Sequence, residues 1–268
     1  LPVNEHQSPN AALAHELGDA LREAGRIALT YFRGSIRSWT KGHDSPVSEA
    51  DIAVDEFLHK RLSRTGFGWL SEESKDDRTR LSAERLFIVD PIDGTRSFLA
   101  GRPDWSIVAA VVEGGRPVAS AVYVPVEDAL YLAASGEGAT CNGLRIGTSA
   151  GAGLAGARIA GPKKMLERVQ SIDPAAIEEP KIHSLALRMT RVAEGRIDAA
   201  FASINAYDWD LAAADLLVHE AGGAMTNFAG EAPVYNLHDP VHGAILAAGR
   251  ERHAAMLDLV RKRRKEFA

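Results

Sequence analysis

The sequence predicts an α/β (α+β) fold built as two sheet-centred lobes meeting near residue 150, and three observations carry that prediction. Apolar residues recur at three- and four-residue steps near the start, then gather into short β-rich runs, and after Gly151 helical and strand-like segments alternate. The expected division is residues 1–150 as an N-terminal α+β lobe and 151–268 as a C-terminal α/β lobe. At 268 residues the chain can form one large domain or two intimately packed ones.

Leu13, Leu17, Leu21, Ala24, Ala28 and Tyr31 follow Ser8-Pro9-Asn10 at helical spacing, so a capped amphipathic helix is expected from Ala11 to about Phe32. The stretch from Trp39 to Pro46, with Lys41, Gly42 and Asp44, breaks the pattern and reads as an exposed, mobile loop. A second helix should open at Ser48, where Asp51 three residues on makes a capping-box variant, and should bury Val54, Phe57, Leu58 and Leu62. The runs Phe67–Leu70, Leu86–Val89, Ser106–Val112, Val118–Val124 and Leu130–Ala133 lie close together, which reads as an antiparallel sheet. Beyond the Gly/Ala-rich connection at 149–157, strands are expected at Ala157–Ala160, Ala199–Ala202, Ala224–Asn227 and Ala244–Ala248. Helices are expected at Met165–Val169, Leu185–Glu194, Leu211–Ala221 and Arg252–Arg261.

Composition narrows the function classes. With 46% hydrophobic and 25% charged residues the chain is globular in type. Its 31 basic and 36 acidic residues give 31 − 36 = −5, no electrostatic footprint for nucleic acid. The basic cluster Arg261, Lys262, Arg263, Arg264 and Lys265 reads as a solvated helix end, where cations face the negative pole of the dipole. No run approaches the ~18 apolar residues of a membrane span, and LPVNEHQSPN lacks the order of a secretory leader. Cys141 stands alone, so no intrachain disulfide forms and a cytoplasmic compartment is expected. A monomer or homodimer without membrane or nucleic-acid partners is the expectation.

Three motif matches fail on context. The G-x-G-x-x-G of Gly151 to Gly156 precedes a strand-like ARIAG, whereas a dinucleotide loop must open a helix. The G-x-S-x-G around Ser149 has no helix after its serine. His238 and His242 are four apart, but Pro240 between them forbids the helix on which they would share zinc.

The informative segment is Asp90-Pro91-Ile92-Asp93-Gly94-Thr95. The run Leu86–Val89 delivers Asp90 at its end, Pro91 fixes the turn, and Asp93 swings back beside Asp90. Two carboxylates this close repel, and a hard cation such as magnesium or manganese neutralises them. Gly94 permits a positive φ, and Thr95 can start a short helix through Ser97 and Phe98 whose N–H groups would cradle a phosphate. Glu72 and Glu73 follow the run Phe67–Leu70 at another strand end, and Asp208-Trp209-Asp210 opens a helix. Each of these alone has a bland reading, as a surface acidic pair or a helix cap.

Together, Glu72-Glu73, the D-P-I-D-G-T run and W-D-x-A-A-x-D-x-x-x-x-E-A-G-G from Trp209 resemble the magnesium-dependent, lithium-sensitive phosphatases of the inositol monophosphatase superfamily. Gly136-Glu137-Gly138-Ala139 with Asn142-Gly143 is similar to that family's glycine-rich hairpin, and the likeness runs from about residue 11 to 250. The resemblance implies a five-layered αβαβα sandwich of the inositol monophosphatase and fructose-1,6-bisphosphatase type, with most metal ligands on the N-terminal lobe. It also implies that Glu72, Asp90 and the Ile92 carbonyl hold a first magnesium, and Asp90, Asp93 and Asp210 a second. A third, weaker ion would sit by Glu72 near the loop of Lys41. Manganese is a possible substitute. Thr95, paired with Asp51, would orient the attacking water, and Asp93, Gly94, Thr95 and Asp210 would meet the substrate.

Substrate choice follows from one departure. Inositol phosphatases usually carry a glutamate seven residues before the last metal aspartate, and that position here is Ser203. The run L-S-E-E-S-x-D-D-x-x-R-L is more like the bacterial 3′(2′),5′-bisphosphate nucleotidases, which remove the 3′-phosphate of 3′-phosphoadenosine 5′-phosphate. Arg96 and Arg188 are candidates for its second phosphate, and either can equally be a solvated surface charge. An inositol monophosphatase is the alternative, and a scaffold or RNA-machinery partner of the same fold is the alternative from another class.

Overall fold

The structure, a computed structural model, describes residues 8–41, 45–64 and 66–263. The opening decapeptide up to residue 7, the centre of the expected loop at 42–44, and Arg264 and Lys265 of the basic cluster lie outside the described residues.

Among the described residues the chain forms five layers. Helices α1 (Pro9–Tyr31) and α2 (Glu49–Leu62) cover one face of a seven-stranded sheet, and α5 (Leu185–Ala193) and α6 (Asp208–Glu220) cover the other. A five-stranded sheet follows, and α4 (Lys163–Ile172) and α7 (Arg250–Lys262) close its outer face. The short α3 (Thr95–Leu99) lies at the edge of the first sheet. No described helix is long and apolar enough to cross a membrane.

Period-two alternation builds the layers. In Arg85–Asp93, Phe87 and Val89 enter the core under α1 and α2, while Leu86 and Ile88 enter the core shared with α5 and α6. In the second sheet Ala200 and Ala202 face α5 and α6, and Ala199 and Phe201 face α4 and α7. Both sheets are thus apolar on both faces, as middle layers must be.

Three expectations change. The exposed loop at Trp39–Pro46 is instead a hairpin: Ser38–Lys41 pairs antiparallel with Ser45–Ser48, bringing Lys41 and Ser45 to the acidic site. The first sheet is not wholly antiparallel, because Phe67–Ser71 runs parallel to Arg85–Asp93, with Ser71 opposite Val89. The intervening acidic loop, with a 3-10 turn at Thr79–Ser82, carries the chain back along the sheet, so both strands end at one edge. The second sheet, of mixed direction, adds a strand at Ile177–Glu178 that the sequence did not signal. Helix bounds also move: α4 is longer than Met165–Val169 at both ends, and α6 starts at Asp208 rather than Leu211.

Candidate active site

Strand geometry puts Asp90 and Asp93 side by side. Residues three apart on a regular strand face opposite ways, but here Asp90 pairs with Val108 and Asp93 with Ser106, so Pro91 and Ile92 together oppose one residue. This bulge, at a proline that has no N–H to give the ladder, turns both carboxylates toward α5 and α6. Asp210, in the first turn of α6, completes the group: oxygens of Asp90, Asp93 and Asp210 all lie within 4.8 Å of one another.

Each carboxylate is held by the backbone around it. Asp90 Oδ1 accepts from the Ile92 N–H at 3.1 Å, and Asp210 Oδ2 from the Tyr207 N–H at 2.6 Å. Asp93 caps α5, accepting from the Ser184 hydroxyl at 2.5 Å, the Leu185 N–H at 3.1 Å and the Ala186 N–H at 2.7 Å. Burial drives all three away from the charged form. It raises Asp90 and Asp210 well above the carboxylate range, with the negative charges of Glu72 and Asp93 adding to the respective effects. Burial also raises Asp93 to about 6, against the three hydrogen bonds from α5 that stabilise its anion. A largely buried, oxygen-only donor set with a shortage of positive charge fits a hard divalent cation.

Glu72 lines the same cleft but is not one of the three. The parallel pairing brings it beside Asp90, its own N–H bonding the Val89 carbonyl at 3.3 Å. Its Oε1 lies 3.3 Å from Lys41 Nζ and 3.4 Å from the Ser45 hydroxyl, and Lys41 also meets Glu73 at 2.7 Å. A lysine ammonium therefore already stands beside Glu72, where the family resemblance implied a third ion. Burial pushes Glu73 up to about 7 despite that lysine, and Asp51 up to about 6 despite two bonds from Ser48.

Asp51 and Thr95 come together as expected. Ser48 caps α2 and gives Asp51 Oδ2 its N–H at 2.8 Å and its hydroxyl at 2.6 Å. The Thr95 hydroxyl lies 3.2 Å from Asp51 Oδ1 and 3.1 Å from the Ile92 carbonyl. Gly94, at φ +94, turns the chain into α3, and a Cβ there would meet the Asp104 carbonyl and the Ser184 nitrogen at 3.1 Å.

The carboxylates open on a cleft of about 720 Å³ that also takes in Arg96, Lys163, Glu178, Glu179, Lys181, His183, Arg188 and Ser203. Arg188 is half-buried, and its Nε is a buried donor without a partner. Burial lowers its pKa while Asp93 and Asp210 hold it up. Sequence reasoning missed His183 and the helix-capping duty of Asp93, since their partners lie about 80 to 90 residues away. The histidine pair is dispersed: His242 Nε2 meets Asp208 Oδ1 at 2.7 Å, and His238 turns to Asp239.

Comparison with known proteins identifies the family. The pattern that defines the inositol monophosphatase family matches residues 6–265. An inositol-1-monophosphatase of Mesorhizobium japonicum is 30% identical over 266 residues, covering 94% of this chain and 97% of the relative. Nus factor SuhB of Haemophilus influenzae is 31% identical over 223 residues, covering 78% of this chain and 82% of its own. The crystal structure of extragenic suppressor protein suhB from Bartonella henselae superposes with a TM-score of 0.83 at 29% identity, covering 94% of this chain and 99% of that one. The chain belongs to the inositol monophosphatase family and is a phosphoric monoester hydrolase.

Proposed function

We propose that the chain hydrolyses a phosphate monoester with water as the nucleophile, at magnesium held by Asp90, Asp93 and Asp210, with Glu72 and the Ile92 carbonyl completing the ligand set. The observation that carries this is the trio of carboxylates, two buried and Asp210 half-buried, facing one cleft. Bound magnesium supplies a lowered pKa for water and positive charge for the phosphoryl oxygens. The protein's part is positioning, which dominates phosphoryl transfer. Thr95 accepts a hydrogen bond from the attacking water while donating to Asp51, and Asp51, raised to about 6, takes the proton passed along that pair. Gly94 and the first N–H groups of α3 meet the phosphate, and Asp93 and Asp210 face the leaving side. Manganese, of the same ligand preference, is the expected substitute.

For the substrate we favour the 3′-phosphate of 3′-phosphoadenosine 5′-phosphate. Arg188, with an unanswered buried donor, and Lys163 and Lys181 in the cleft support a second anionic group, and Ser203 in the cleft supplies no carboxylate for a polyol ring. Inositol 1-phosphate is the second reading, favoured by Glu178 and Glu179, which bring acidic groups to the cleft from another strand, and by the name of the Mesorhizobium relative. The test is kcat/KM for both substrates at equal free magnesium. At least a tenfold preference for the bisphosphate, ~1.4 kcal/mol in transition-state binding, is expected, and a preference for inositol 1-phosphate would transfer the assignment. The Haemophilus relative's name points to an RNA-machinery role; a complete carboxylate set supports hydrolysis instead.

A further inference from the structure

His183 lines the cleft one residue before Ser184, which ties Asp93 to α5. Its backbone N–H and its Nδ1 both meet Asp104 Oδ2 at 2.9 Å, and the Ser97 hydroxyl lies 2.8 Å from Asp104 Oδ1 and 2.9 Å from Nδ1. Two bonds from one residue to one oxygen fix the ring. A carboxylate only accepts, so Nδ1 carries a proton, and a ring holding that one proton keeps its lone pair on Nε2. Among the described residues nothing hydrogen-bonds Nε2, which is not a sealed, unpartnered atom either, and the side chain is 17% exposed. Nε2 is thus accessible, on a residue that lines the cleft.

That lone pair, backed by a carboxylate, repels phosphoryl oxygens and attracts a donor. We propose that His183 Nε2 accepts a hydrogen bond from a hydroxyl of the leaving alcohol, with Asp104 as its positioning residue. The enzyme then prefers phosphate esters that carry a hydroxyl next to the ester oxygen. This inference rests on the phosphatase reading and deepens it, because both the ribose 3′-phosphate and the inositol phosphate carry such a hydroxyl.

The test compares kcat/KM for the better of those two substrates with kcat/KM for p-nitrophenyl phosphate, which has no hydroxyl, across a variant series. His183→Asn keeps a donor for Asp104 but cannot reach the Nε2 position, and the ratio should fall at least tenfold, mainly through KM. His183→Gln, whose amide oxygen can stand near the Nε2 position, should recover part of that loss. Asp104→Asn should lower the ratio and shift the imidazole ¹⁵N resonances toward the other tautomer, a signature that loss of packing alone does not give. An equal loss on both substrates, or an unchanged ratio in His183→Asn, would overturn the inference while leaving the phosphatase reading intact. A wild-type enzyme that releases phosphate from neither would sink that reading, and this one with it.

Discussion

Asp90 is the residue on which the site turns, because burial and the charges of Glu72, Asp93 and Asp210 all act against its ionised form. Asp90→Asn keeps the shape and removes the charge, and we expect kcat to fall at least ~10²-fold, as when a group central to charge stabilisation is lost. Steady-state phosphate release on the purified variant checks this. Thr95→Ala separates chemistry from binding. In the proposed mechanism its hydroxyl orients water and supplies no charge, so kcat should drop by ~10²-fold or more while magnesium affinity by calorimetry stays near wild type. Loss of magnesium binding with normal kcat at saturating metal would remove Thr95 from its role. What was legible at this scale was local: the D-x-x-D spacing and the cap at Ser48 can be read from neighbours in sequence. His183 on Asp104 and Arg188 beside Asp93 could not, since their meaning comes from residues far along the chain.

At the scale of elements, most helices announced themselves by spacing and caps, and their ends moved because apolar periodicity is silent about the first polar turn. Asp208 and Asp210 are examples, polar residues that belong to α6 yet precede its apolar run from Leu211. The parallel pairing of Phe67–Ser71 was hidden because a two-faced apolar strand reads alike in either direction. The E-A-G-G run now has a steric reason. Gly222, at φ +85, leads the chain out of α6, and Gly223 starts the next strand so tightly that a Cβ would lie 2.8 Å from the Ala248 carbonyl and from Val218. A carbonyl in a paired strand cannot step aside. Gly223→Ala should therefore destabilise the protein by ~1–3 kcal/mol, the usual cost of overpacking, measured as a lower urea midpoint at unchanged slope. An unaltered midpoint would show that the two strands can separate.

At the scale of the molecule, the five layers place the first sheet's acidic end against the N-termini of α5 and α6, so the carboxylates come together only when those helices are packed on that sheet. The αβαβα order followed from family resemblance, whereas composition and periodicity reached no further than two sheet-centred lobes. Within the second sheet, Asp198 accepts the Arg158 N–H at 2.7 Å and its guanidinium at 3.1 Å, joining two strands at their start. Burial works to raise this carboxyl, and the bonds from Arg158 and Ser149 outweigh it, bringing it from an ordinary 3.8 to about 2. A folded value below the unfolded one means stability that is present above about pH 4 and lost as pH falls toward about 2. Thermal unfolding of wild type and Asp198→Asn should thus differ most above pH 4 and converge near pH 2. A gap that stays constant across that range would show that the pair contributes only packing.

The central claim is that buried carboxylates make this chain a cation-dependent phosphatase, and the most direct measurement is phosphate release titrated with magnesium after exhaustive chelation. No turnover of 3′-phosphoadenosine 5′-phosphate or inositol 1-phosphate is expected in excess chelator, with full recovery when magnesium is returned. Undiminished turnover in the chelator would contradict the claim.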